Sequence, residues 1–111
     1  MKKIFIAAFM FVSTFGTNVM ADGHAIKMGI ILGFTGPIES LTPAMRDSAK
    51  LAFEEASASG SLLGGKKITV LEADSTCVDS AAATAAAEGL ISQGIAAIMG
   101  ADCSGAVSYT H

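Results

Sequence analysis

The sequence predicts an α/β fold, a three-layer arrangement in which a parallel sheet carries helices on both faces. Two observations predict it. Three short apolar runs alternate with helical stretches in the order β-α-β-α-β-α, and such alternation implies parallel strands joined by right-handed crossovers. Glycine, proline or a capping residue stands at nearly every change of period, where chain reversals need them. A sheet of this kind places ligands at the carboxyl ends of its strands, so the loops over residues 33–41, 74–79 and 101–105 are the ones to watch.

Each element follows from its own residues. Ile26–Leu32 (IKMGIIL) is short, apolar and rich in β-branched side chains, which predicts a buried strand. Gly33-Phe34-Thr35-Gly36-Pro37 then forms a loop. Thr42-Pro43 reads as an N-cap followed by proline at the first helical position. Met45, Ala49, Ala52, Phe53 and Ala56 recur behind it at helical spacing, with Arg46, Asp47, Lys50 and Glu54 on the opposite face. Ser59-Gly60 ends this helix. Residues 68–71 form a second strand. Asp79 or Ser80 caps an alanine-rich helix that runs to Ser92 and stops at Gly94, with Ala82, Ala86, Leu90 and Ile91 as its packing face. Residues 95–99 form the third strand, and 106–111 the start of a third helix.

The amino terminus belongs to another signal. Lys2 and Lys3 precede an apolar stretch over residues 4–15, and Val19-Met20-Ala21 supplies small residues where a signal peptidase reads. Residues 1–21 are therefore expected to be a cleaved export signal, too short to span a membrane. No cysteine sits at the cleavage point, which speaks against a lipid anchor. The 111-residue chain has a formal charge of -3. Without the leader, five lysines and arginines face ten acids, a net charge of -5. That balance gives no support to nucleic acid as a partner.

Two cysteines remain, Cys77 and Cys103. In an oxidising compartment pairing is the first expectation. The rivals are two buried thiols, or half of a zinc site with His24 and His111, although the spacing fits no zinc pattern. Residues 60–67 resemble a phosphate-binding loop, but Lys67 stands where a hydroxyl is needed and the helix precedes the strand instead of following it. Gly29, Gly33 and Gly36 lack the spacing of a dinucleotide fingerprint. No catalytic set stands out: Ser104 lacks the Gly-x-Ser-x-Gly frame, and His24 and His111 lie near the two ends. The reading is therefore of a protein without catalytic residues, metal or cofactor. Ser104, followed by Gly105, sits where a strand ends and a helix starts. There it could receive a carboxylate or simply cap its own helix. The charge of neighbouring Asp102 would oppose an anionic ligand if it pointed inward.

Taken in order, several short segments resemble the leucine/isoleucine/valine-type periplasmic binding proteins, class I of the solute-binding fold. They are Ile26-Lys27-Met28-Gly29 leading to Thr35-Gly36-Pro37, and Ala52-Phe53-Glu54-Glu55-Ala56 running into Gly60. They continue with Leu63-Gly64-Gly65-Lys66-Lys67-Ile68, Asp74-Ser75-Thr76-Cys77, and Ala96-Ala97-Ile98-Met99-Gly100 leading to Cys103-Ser104. The likeness covers nearly all of residues 25–108. It implies a two-lobed protein of which residues 22–111 are the amino-terminal part of lobe 1, the remaining parts being absent from this chain. Such proteins close on a ligand by hinge motion and deliver it to an ABC permease in the inner membrane. The resemblance further implies a Cys77–Cys103 disulfide, a role for Ser104 and Gly105 in holding an amino acid's α-carboxylate, and Leu41 where some members carry an aromatic ligand contact. The implied ligand is an amino acid or amide-like solute, and the implied protein is a periplasmic monomer when full length. A sensor of the same fold, binding amides, urea or aromatic acids, and a truncated product without function are the alternatives. Alone, this chain is expected to bind poorly.

Overall fold

The computed structural model describes residues 25–110. The export signal over 1–21, His24 and His111 lie outside the described residues. The elements run β1 (Ile26–Leu32), α1 (Thr42–Ala58), a 3-10 turn (Leu62–Gly64), β2 (Ile68–Asp74), α2 (Ser80–Ser92), β3 (Ala97–Met99) and α3 (Ser104–Thr110). The three strands form one parallel sheet in the order β2-β1-β3. β1 is central, which accounts for its apolar run: Ile30, Ile31 and Leu32 are all buried.

Successive residues of a strand face opposite sides, and this separates the two helical layers. Ile31 packs with Ala87 and Leu90 of α2, and Leu71 and Ala73 of β2 join them. Glu72, in register with Ile30, turns to the other face. There Lys50 of α1 meets it at 3.1 Å and Arg46 at 4.0 Å. The helices therefore cover both faces of a parallel sheet, as the alternation of elements predicts. Gly29 brings α2 close to β1, because a Cβ there would lie 2.9 Å from the Leu90 side chain.

Boundaries and faces differ from the sequence reading in five places. β2 continues past residue 71 to Asp74, because β1 offers partners along its whole length, Leu32 pairing with Asp74. β3 is shorter than 95–99: pairing with β1 begins at Ala97 opposite Met28. α3 begins at Ser104 rather than residue 106, with the Cys103 carbonyl accepting from both Ala106 and Val107 N–H groups. Leu41, not Thr42, is the N-cap of α1. The Ile38 carbonyl already accepts from the Leu41 and Thr42 N–H groups, and the buried Thr42 hydroxyl donates to the Glu39 carbonyl.

The fifth difference concerns helix phase. On α1, Met45 and Ala52 are exposed, while Ala49, Phe53 and Ala56 are half-buried together with Arg46 and Lys50. The two cations reach inward because their apolar stems pack while their charged heads meet Glu72. On α2, Ala83, Ala87 and Leu90 are buried, and Ile91 is 64% exposed. Asp79 is the N-cap, its carboxylate accepting from Ala81 and Ala82 N–H groups at 2.9 and 3.1 Å.

Candidate functional site

The carboxyl ends of β1, β2 and β3 open into three loops at one edge of the sheet, and hydrogen bonds and a disulfide link them. The β1 loop begins at buried Gly33. Its N–H donates to both carboxylate oxygens of Asp102, at 3.2 and 3.0 Å, tying it to the β3 loop. Two residues on, the Thr35 hydroxyl donates to Asp74 at 2.6 Å and the Thr35 N–H donates to the same carboxylate at 3.3 Å. Asp74 ends β2 and also accepts from the Thr76 N–H at 2.8 Å.

The β2 loop is bent into an unusual backbone shape. Thr76 and Cys77 both adopt left-handed conformations, with φ of 56° and 70°, which non-glycine residues take only when surrounding contacts hold them there. Here the Asp74 carboxylate holds Thr76 and a disulfide holds Cys77. The structure joins Cys77 to Cys103, with Cα atoms 5.2 Å apart, so the zinc and free-thiol alternatives fall away. Gly36, at φ 101°, lies against the Thr76 carbonyl, where a Cβ would come within 2.6 Å. The β1 and β2 loops therefore touch through backbone, with no room for a side chain between them.

Electrostatics follow from these bonds. Burial alone would push the Asp74 carboxyl up, but hydrogen bonds from the Thr35 hydroxyl and from the Thr76 and Thr35 N–H groups outweigh it. The group is held below its ordinary value and stays ionised. The Asp102 carboxylate faces the carboxyl end of β1, where the Gly33 N–H meets both its oxygens.

Ser104 and Gly105 are both exposed at the start of α3, directly after the disulfide. Gly105 lies beside the second loop, since a Cβ there would sit 3.5 Å from the Cys77 carbonyl. Leu41 stands at the other end of the first loop, at the start of α1, and is 61% exposed. The structure thus brings Cys77, Cys103 and Gly105 together and leaves Leu41 on the adjoining loop. The sequence reading placed Thr35 and Asp74 in the family-like segments and strand-end loops but neither paired them nor gave them a role in the site. The available signal was an aspartate closing a β-run opposite a Thr-Gly loop, a pairing that only the strand register reveals. An open pocket of about 320 Å³ lies at the opposite end of the sheet, lined by Glu54, Ser57, Ala58, Gly65, Lys67 and Ile68. Among the described residues, no three His, Cys, Asp or Glu side chains gather to hold a metal ion. No helix among them is long and apolar enough to cross a membrane.

A parallel α/β sheet whose strand-end loops are linked at one edge has the form in which small ligands are bound beyond the strand carboxyl ends. Residues 25–110 match the periplasmic binding protein family, and the chain belongs to that family. No curated protein matches the chain. Periplasmic binding proteins bind small solutes, are typically periplasmic and non-enzymatic, and usually hand their ligand to an ABC permease.

Proposed function

We propose that this chain is the amino-terminal part of the substrate-binding component of an ABC importer for branched-chain amino acids or related small solutes. The observation that carries this reading is the meeting of three strand-end loops at one edge, with Ser104 exposed beside the Cys77–Cys103 bond. On this reading Ser104 and Gly105 receive the ligand's carboxylate, the Ser104 hydroxyl donating to it. Leu41 offers an apolar surface to the side chain. A second lobe outside this chain supplies the opposite jaw, and closure of the two excludes water. The role is capture rather than catalysis. Residues 1–21 direct export and are removed, the mature protein is a periplasmic monomer, and its macromolecular partner is an inner-membrane ABC permease.

The test is a thermal-shift titration of the complete gene product against leucine, isoleucine, valine and acetamide. A ligand at one hundred times its Kd adds about 2.7 kcal/mol to stability. We expect at least one of the four solutes to raise the melting temperature with dose, and Ser104→Ala to remove most of that rise. No shift with any of the four would refute the reading.

A further inference from the structure

The links among the three loops close on themselves. From Gly33 the chain runs to Thr35, whose hydroxyl and N–H meet Asp74. From Asp74 it runs through Thr76 to Cys77, which is bonded to Cys103. Asp102, next to Cys103, returns to the Gly33 N–H. Every step is a covalent bond or a hydrogen bond to a carboxylate, the stronger kind. An open chain of links would couple its end loops only through the middle one, whereas a closed ring ties each loop directly to the other two.

We propose that Asp74 and Asp102 are positioning residues of the jaw: their carboxylates complete a ring through the Cys77–Cys103 bond that makes the three strand-end loops move as one unit and so holds Ser104 in place. The consequence for solute capture rests on the function proposed above. The coupling between loops does not. Two features support the ring beyond the bonds themselves. The left-handed Thr76 and Cys77 lie within it and are held at both ends. Gly36 and the Thr76 carbonyl are packed too closely for the first two loops to slide past one another.

Thr35 permits a clean test, because it is exposed and its hydroxyl reaches only one link of the ring. Amide hydrogen exchange would be followed by mass spectrometry in the complete gene product and in its Thr35→Val, Thr35→Ser and Asp102→Asn variants. Thr35→Val should speed exchange by about tenfold or more, the loss of roughly one charged hydrogen bond. The acceleration should reach residues 75–79 and 100–105 as well as 33–41, while the β1 core at Ile30 and Ile31 stays protected. Thr35→Ser, which keeps the hydroxyl, should restore the original rates. Asp102→Asn should loosen residues 75–79 from the other side. Acceleration confined to 33–41 in Thr35→Val would overturn the proposal, as would equal acceleration of every amide including β1. A leucine thermal shift on the same proteins separates the two readings. If the unmodified protein shows none, the proposed function loses support while the exchange pattern still decides this inference; if it shows one, Thr35→Val should reduce it and Thr35→Ser should not.

Discussion

Asp74 shows how a single carboxylate can bind two loops. It takes hydrogen bonds from Thr35 in one and Thr76 in the other, and these outweigh the cost of its burial. A carboxyl whose folded value is lowered adds stability above its unfolded value of about 3.9, and that stability is lost as pH falls through the lower folded value. Urea midpoints measured against pH should therefore drop on acidification below about pH 4 more steeply for the unmodified protein than for Asp74→Asn. The two curves should converge at the acid end. Parallel curves would show that the carboxylate does not contribute in this way. At this scale the sequence was only partly legible. Cysteine count and export context predict the Cys77–Cys103 pair, because few partners exist. The Thr35–Asp74 pair is separated by 39 positions and is set by strand register. Asp102 was legible as a charge but not as a hydrogen-bond partner of Gly33, since its direction depends on where β1 ends beside it.

At the scale of elements, the alternation of apolar runs and capped helices places the described strands and α-helices in their correct order, and errors arise at boundaries and in phase. Helix α2 is a case in point. Its many alanines give little contrast around the helix, so the buried face could be read one residue away from its true position. The structure buries Ala83, Ala87 and Leu90 and leaves Ile91 in solvent. The phase is set by a contact the sequence does not display: Gly29 on β1 leaves the gap that Leu90 fills. Leu90→Ala should thus cost about 2–5 kcal/mol, the usual range for emptying a packed site. Ile91→Ala should change stability by no more than about 0.5 kcal/mol. Chemical denaturation of the two variants checks this, and equal losses would mean that both side chains pack. Helix α1 errs for a related reason. Charge alone assigned Arg46 and Lys50 to solvent, but Glu72 on the neighbouring strand draws them inward.

At the scale of the molecule, the parallel sheet gathers the strand-end loops at one edge, and the disulfide fastens two of them across 26 positions. Closing a loop of that size stabilises by about 3–4 kcal/mol in the chain-entropy model. Reduction with dithiothreitol should lower the denaturation midpoint by a corresponding amount, with no loss if the bond is absent in solution. The layer order and the edge at which the strand-end loops gather were legible because alternating strands and helices imply a parallel sheet. On the proposed function the opposite jaw belongs to a second lobe, which no residue of this chain displays. The central claim is that solute meets the protein at the linked loops. Hydrogen exchange of the complete gene product, with and without leucine, isoleucine, valine or acetamide at saturation, tests it most directly. The account predicts that the bound solute slows exchange in residues 33–41 and 100–105. Slowing confined to the pocket around Glu54 and Lys67 at the opposite end, with those loops unchanged, would contradict it.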